Sequence, residues 1–474
     1  FYPNSKKDQL ITYLKGLRDW NISRQIAWGI PIPAFQNVDD SDDWIFDERV
    51  DQEIIDVDGK TYHRDADVLD TWFSSSSWPY ATLDYPDGEN FKKFYPNGMM
   101  ETGGEILYPW VSRMIMLGLY VTGEIPFKEV YIHGYVMAED GTKMSKSVGN
   151  VIDPVPVIEQ YGSDALRMGL VAGRSPAVNR GYDSRRVEEA RNFCNKLWNI
   201  ARYIEGVLGD DLKLGDKAKP ETAADHWILG KLDAATKTMT DHLDNYRFSE
   251  AYELLYHLVW DDVADWYVEA SKQHGNASVL NVALETVLKL AHPFAPFLTE
   301  TIWQTLQPDA ADLLIVSSWP TSLAHDHKQS ADFEKVKKIV SEIRYIKTLL
   351  HLKGANLYFT DAPFIADNAT LIQKLAKLEG VKQVSDGRGL HLTQTVENCW
   401  LDVDHETAIE FTGKLHEKQT DITKQIELLT GRLENETYVK KAPKQLVDQS
   451  KQQLKDLRAE LANIESQLKQ FDEI

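Results

Sequence analysis

Cysteine is almost missing: Cys194 and Cys399 are the two in 474 residues. They lie far apart and form no Cys-x-x-Cys pair, which excludes a disulfide scaffold and a four-cysteine zinc site. Long apolar runs are missing too. None approaches the roughly 18 residues of a membrane span, and no stretch reads as a secretory signal. Positive charge is in deficit, since 52 Lys and Arg against 73 Asp and Glu leave a net −21. That excludes a uniformly basic nucleic-acid coat but leaves room for a basic patch on an acidic body. The chain opens at Phe1, without a Met, as expected of a processed chain or a piece of something longer.

What is present reads as folded and globular, with 43% hydrophobic and 26% charged residues. At roughly 100–200 residues per domain, two to four domains are expected. Residues 1–185 are rich in Trp, Tyr, Gly and Pro. Short apolar runs there, Ile106–Leu107 and Val130–Ile132, alternate with helical stretches such as Val111–Tyr120, the pattern of an α/β domain. Residues 186–325 read as helical. Val187, Ala190, Phe193, Cys194, Leu197 and Ile200 line one face of a helix. Gly206–Thr222 reads as an exposed connection. Three or four packed helices follow over Ile228–Leu306, broken at His292-Pro293 and Ala295-Pro296. Residues 326–403 read as a small α+β unit, with a helix from Phe333 to about Leu350, a strand at Ala355–Phe359 and a second helix near Leu371–Leu378. Residues 404–474 carry two seams. Leu454, Leu457, Leu461, Ile464, Leu468 and Phe471 alternate spacings of three and four, and Leu415, Ile422 and Leu429 recur every seven beside Ile426 and Leu433. With Pro443 between them, they predict an antiparallel coiled-coil hairpin.

The sharpest motif is Lys143-Met144-Ser145-Lys146-Ser147, between the turn signal Glu139-Asp140-Gly141-Thr142 and Val148-Gly149-Asn150. Two lysines three apart on a glycine-flanked, mobile loop place two ammonium groups on one polyanion, and lysine meets phosphate as a flexible point charge. When an α-phosphorus is attacked and pyrophosphate leaves, charge builds on the leaving oxygens, so cations aimed there favour the transition state over the ground state. An arbitrary Lys/Ser loop is only a polar surface.

The surroundings raise this one above that reading. The five residues resemble the signature loop of the class I aminoacyl-tRNA synthetases. Arg18–Gln25, Trp28–Ala34, Asp67–Ser75, Trp110–Met116, Tyr131–Gly134, Ile152–Pro154 and Tyr161–Arg167 resemble the stretches around it. Arg191–Asn199, Asp265–Tyr267 and His292–Phe297 resemble the anticodon-binding bundle, and Tyr438–Pro443 the tip of the terminal coiled coil found in the valyl branch. The resemblance covers essentially the whole chain. It implies a partial Rossmann-type parallel sheet with the signature loop over 1–185, an anticodon-binding helical domain over 186–325, a connecting α+β unit over 326–403 and a tRNA-binding arm over 404–474. It also implies a cytoplasmic ligase that joins L-valine to its tRNA through valyl-adenylate, using ATP whose Mg2+ arrives with the phosphates, and that is a monomer when intact.

Site residues follow from the same resemblance. Lys143 and Lys146 would hold the leaving pyrophosphate, with Ser145 and Ser147 ordering the loop. His133 and Gly134 would wall the adenine, the glycine letting backbone approach the ligand. Glu105 stands where the family has an acid close to the ribose, with an extra methylene and Pro109 nearby. Trp72 and Trp110 would wall the valine pocket. Such a pocket rejects an added hydroxyl, as in threonine, only about 10²-fold, which is why enzymes of this kind benefit from editing. Arg191 and Lys196, with Lys440, Lys441 and Lys444 at the hairpin tip, would meet tRNA phosphates. Two departures stand out. No His-x-Gly-His occurs among the thirteen histidines, so the chain is expected to be the C-terminal half of a longer polypeptide, without the first half of the nucleotide fold and the editing domain, and unable to activate valine alone. The missing half is then itself a partner. Where some relatives carry a cysteine zinc knuckle, Phe35–Asp65 is acidic and has no Cys, so no structural zinc is expected. Two competing readings remain: an isoleucyl or leucyl sibling, and a non-catalytic tRNA-binding module.

Overall fold

The computed structural model describes the chain except residues 210–213, 216, 273–274, 308–311, 393, 435–443 and 472–474, and except the side chains of 405, 408, 411, 444–446, 448–449, 463, 466–467 and 469–471. It is a helix-rich α/β structure with small sheets. Two compact units emerge: Phe1–Asn195 with Lys237–Tyr256 and Ala291–Thr299, and Lys196–Thr236 with His257–Leu290 and Glu300–Ile474.

In the first unit, a helix Ser5–Lys15 leads to the short strand β1 (Ser23–Arg24). Four strands follow, β2 (Ala34–Asn37), β3 (Trp44–Phe46), β4 (Ile54–Val57) and β5 (Lys60–Arg64), in the antiparallel order β3-β2-β5-β4. Alternation puts Phe35, Ile55 and Tyr62 on one face as a small core. The acidic run predicted from sequence serves this sheet. Asp43 accepts from Asn37 Nδ2 at 2.8 Å, Lys60 Nζ at 2.9 Å and Tyr62 Oη at 3.1 Å, and these donors hold its carboxyl at about 2. The sheet itself was not foreseen. Next, β6 (Val68–Leu69) pairs antiparallel with β1.

The site is built on β7 (Asn97–Gly103) and β8 (Phe127–His133), which pair in parallel register from Asn97↔Phe127 to Gly103↔His133. Tyr2 adds a parallel bridge to Tyr131. The crossover contains the helix Ser112–Thr122, and its Met114 joins Met100, Leu107, Val111, Phe127, Val130 and Ile132 in a buried cluster. This is a partial parallel sheet. Val130–Ile132 is strand as predicted. Ile106–Leu107 is not: Gly104–Ile106 is a 3₁₀ turn and Leu107–Val111 a π-helical turn. The chain leaves the sheet after Gly103, Leu107 is fully buried as the first residue of a helical turn, and Pro109 sits in that turn, where a missing N–H costs nothing. Beyond β8, β9 (Val136–Met137) pairs in parallel with β10 (Arg180–Gly181), and the signature loop lies between them in sequence.

In the second unit helical residues 223–236 and 277–290, the helix His327–Leu349 and the π-helix Leu258–Val268 bury Trp227, Tyr267 and Phe333. Tyr267 Oη donates to Asp225 at 2.8 Å, and burial together with that carboxylate drives the phenol well above its ordinary range. The α+β unit orders β11 (Asn356–Phe359), β12 (Gly380–Gln383), β13 (Leu390–His391) and β14 (Cys399–Leu401) as β12-β11-β14-β13. Two long helices, His405–Glu434 and Lys444–Phe471, bury Leu415, Ile422, Ile464 and Leu468 against one another. Lys418 pairs with Glu460 at 2.7 Å. Phe471 of the predicted seam lies outside the described side chains. Among the described residues no helix is long and apolar enough to cross a membrane.

Candidate active site

Parallel strands expose their carboxyl ends to ligands. Here those ends bring Glu105, His133, Tyr135 and Lys143 together. Lys143 Nζ lies 3.2 and 3.3 Å from the two Glu105 oxygens and 5.3 Å from the centre of the Tyr135 ring. The Tyr135 hydroxyl and then Lys143 hold the Glu105 carboxyl below its usual range. Burial and then Glu105 push the Tyr135 phenol up. His133 Nδ1 pairs with Glu101 of β7. Glu101 and Tyr135 were not picked out from sequence, although Tyr135 lies only two residues past the flagged histidine.

The loop is stapled rather than merely flexible. Asn150 Oδ1 accepts from the Ser145 N–H at 2.8 Å, and Asn150 Nδ2 donates to Thr142 Oγ1 and the Lys143 carbonyl at 3.0 and 3.2 Å. Asp140 accepts from the Thr142 N–H and hydroxyl at 2.9 and 2.7 Å, which lowers its carboxyl. Ser145 and Ser147 share a hydrogen bond at 2.8 Å. Asn150, which closes the loop, was quoted in the sequence only as flanking. Lys146, three residues on, is exposed, so one lysine is latched to Glu105 and the other faces solvent. One ammonium group, one carboxylate and a phenol thus share an open edge.

Gly134 has a packing reason to be small. A Cβ there would collide with the Val178 carbonyl, so its smallness serves the chain's own packing. The two tryptophans lie on separate helical turns, Thr71–Ser74 and Leu107–Val111. Trp72 sits in the short helix Thr71–Ser74, whose cap is Asp70, accepting from the Trp72 N–H at 2.7 Å. Asp70 is buried and paired with Arg24, which joins the two short strands. Trp110 Nε1 donates to the Ser75 carbonyl at 3.2 Å, and its ring meets Trp78 at 6.2 Å between centres. Trp78 was missed, though it lies within the same tryptophan-bearing segment.

Residues 1–180 match the family described as tRNA synthetases class I (I, L, M and V). Residues 225–357 match the anticodon-binding domain of tRNA ligase, and 409–472 the valyl tRNA synthetase tRNA binding arm. The chain belongs to the class I aminoacyl-tRNA synthetases. Within the class it sides with the valyl members: it is 33% identical over 510 aligned residues to valine–tRNA ligases of Staphylococcus aureus strains bovine RF122 / ET3-1 and JH9, covering 99% of this chain and 56% of each of those proteins. The chain thus spans little more than half the length of these curated relatives. Its fold resembles the Agrobacterium radiobacter K84 agnB2 LeuRS in a ternary complex with tRNA and LeuAMS, at a TM-score of 0.54 and 21% identity over 67% of this chain and 46% of that one. It also resembles the Mycobacterium tuberculosis methionyl-tRNA synthetase in complex with methionyl-adenylate, at 0.50 and 21% over 68% and 62%.

The residues marked for tRNA in this synthetase chain fare differently. Arg191 is tied to Glu188 and Asn192 at 3.2 and 3.1 Å, and Lys196 to Asp265 at 3.0 Å with its ammonium 4.8 Å from the Trp260 ring centre. Both side chains are occupied within the protein. Lys440 and Lys441 lie outside the described residues, and Lys444 begins the last helix with its side chain outside the description. In their place the second unit offers a groove of about 1130 Å3 whose lining includes Lys272, Arg344, Lys347, Lys353, Lys374 and Lys377 against Asp265 and Glu269. Its wall is braced: Arg344 lies 4.8 Å from the Trp266 ring centre and donates to the Leu375 carbonyl at 2.9 Å. The groove gathers lysines from three helix ends, a grouping invisible to sequence spacing. Among the described residues no group of three His, Cys, Asp or Glu is placed to hold a metal ion.

Proposed function

We propose that the chain carries the pyrophosphate-releasing half of a valine–tRNA ligase site together with its tRNA-binding parts. The observation that carries this reading is the meeting of Lys143, Glu105, Tyr135 and His133 at the ends of the parallel strands β7 and β8, in a chain whose terminal helices match the valyl arm. In the reaction, a valine carboxylate oxygen attacks the α-phosphorus of ATP. The bond to the bridging oxygen breaks, and pyrophosphate leaves with that electron pair. A terminal ribose hydroxyl of the tRNA then attacks the mixed anhydride, releasing AMP.

Lys146 stands free to meet the leaving phosphates, and Lys143 joins it by leaving Glu105. Both side chains of that pair are more than half exposed, 64% and 56%, so the pair is screened by water and opens at little cost. Glu105 is then left to accept the ribose hydroxyls. His133 and Gly134 flank the base, and Trp72 and Trp110 the amino acid. Mg2+ would arrive on the ATP phosphates, since that ion keeps much of its water and binds between carboxylates and phosphates. The two terminal helices act as a coiled-coil arm, Lys440, Lys441 and Lys444 supply tRNA contacts, and Arg191 and Lys196 join them by exchanging their exposed partners Glu188 and Asp265 for phosphates. The deciding experiment is valine-dependent ATP–pyrophosphate exchange by the complete gene product, with isoleucine and leucine as controls. Exchange driven by isoleucine in preference to valine would end the valyl reading.

The basic groove favours a second reading of this chain by itself, a tRNA-binding module. Binding of a valine tRNA transcript without exchange activity supports it, and robust valine-dependent exchange by the 474 residues alone defeats it.

A further inference from the structure

The helix Ser163–Val171 ends at a turn, Ala172–Gly173, on which three arginines converge. Arg186 Nη1 donates to the Ala172 carbonyl at 3.0 Å, and Arg180 Nη1 to the Gly173 carbonyl. A Cβ on Gly173, whose φ is +65°, would stand 2.5 and 2.6 Å from these two nitrogens. The glycine is therefore required for both guanidiniums to close on the turn. Arg174 follows directly, and its Nη1 is buried with no acceptor in the structure. Burial and then the charges of Arg180 and Arg186 pull its guanidinium below the ordinary range.

Two of the three arginines have a local task, capping a helix C-terminus. That task does not use up the charge. A helix end supplies roughly −0.5 of a charge. Asp183 is matched by Arg185 at 3.1 Å and lies 3.9 Å from Arg186. Even with Asp183 set wholly against Arg186, three guanidiniums leave a surplus of about +1.5, inside a chain of net −21. A buried guanidinium donor without an acceptor, beside two like charges, costs free energy unless an anion completes it. The fork of N–H donors on arginine fits phosphate oxygens. Through the β9–β10 pairing, Arg180 faces Val136, on the strand that leads into the signature loop.

We propose that Arg174, Arg180 and Arg186 form a phosphate-binding notch at the Ala172–Gly173 turn that takes a phosphodiester of bound tRNA. The inference rests on the reading above that the chain handles tRNA, and its test separates the two. Affinity of the 474-residue chain for a valine tRNA transcript is measured from 50 to 200 mM salt, with the Arg174→Gln and Arg174→Lys variants beside it. Expected are an affinity loss of about tenfold for Arg174→Gln at low salt, a log–log salt slope shallower by about one, and recovery of the slope in Arg174→Lys, which keeps the charge but not the fork. Without tRNA, Arg174→Gln keeps or raises the thermal midpoint, because it relieves repulsion. A lower midpoint with an unchanged slope would mean that the arginine is structural, and would overturn the proposal. If the slope holds while pyrophosphate binding weakens, the notch serves a nucleotide and the assignment to RNA fails. If the unmodified chain ignores tRNA, it is the tRNA-handling reading that falls, and pyrophosphate then reports on the notch: stabilisation of the chain but not of Arg174→Gln keeps the phosphate chemistry, and no difference removes it.

Discussion

Two carboxylate–lysine pairs stand in the first unit, and they are not alike. Asp43 and Lys60 meet at 2.9 Å within one small sheet, and Asp43 also receives Asn37 and Tyr62. All four residues fall within a span of 26 residues, and the network is closed. Glu105 and Lys143 meet at 3.2 Å from 38 positions apart, joining the end of a strand to a loop, with both partners mostly in water. The first pair is fastened on several sides and holds a fold. The second shares Tyr135 as a further partner but ties a strand end to a loop, and both of its side chains are more than half exposed. A charge pair at a site is distinguished less by its distance than by how far water reaches it.

This contrast is open to breaking, and the largest effect is expected in the sheet. Phe35 is fully buried beneath it, and Phe35→Ala should cost about 3–5 kcal/mol, the usual range for removing a core phenylalanine. Chemical denaturation reads this. A loss below about 1 kcal/mol would mean that the sheet is not an independent packing unit. Next comes the loop. Lys146→Ala should lower the rate of valine-dependent pyrophosphate exchange by the complete gene product about 10²–10³-fold, as for removal of one preorganised transition-state donor. Its thermal midpoint should stay in place, since the side chain is exposed and makes no structural contact that would be lost. Equal exchange rates in variant and parent would remove Lys146 from the chemistry.

The two pairs were also unequally legible in the sequence. Lys143 and Lys146 stood out because five residues in a row formed a string with a chemical purpose, and the loop's neighbours in sequence are largely its neighbours in space. The helices over Val187–Ile204 and the two terminal seams were legible because burial repeats along them with a helical period. The sheet over Ala34–Arg64 escaped, since its strands are three to five residues long and too short for alternation to rise above composition. Ile106–Leu107 misled for a related reason: two apolar residues fit a strand or a helical turn equally well, and Gly103-Gly104 and Pro109 decided the matter. The basic groove was out of reach, because Lys272, Arg344 and Lys377 come from three distant segments. So was the closeness of Gly134 to Val178, which depends on a chain crossing 44 residues later.

The smallest effects test the pairs through acidity. The folded Asp43 carboxyl sits at about 2, below its unfolded value of 3.8. Its contribution to stability is therefore complete above the unfolded value and is lost as pH falls toward 2. Asp43→Asn should flatten the stability curve between pH 4 and 2, and a carbon-13 carboxyl titration should place the group near the low end of that window. Lys60→Ala should move the titration upward, with Asn37 keeping it below the unfolded value. Glu105 is lowered in the same direction by Tyr135 and Lys143, so the sign is the same, but its exposure lets solvent screen the pair. Glu105→Gln should leave the stability curve where it is while weakening ATP binding by the complete gene product several-fold, the outcome for an acid that releases its lysine to accept a ribose. If Glu105→Gln instead destabilised the chain over the acid range as Asp43→Asn does, the latch would be as structural as the sheet, and the distinction between a tie and a fastening would have no chemical content.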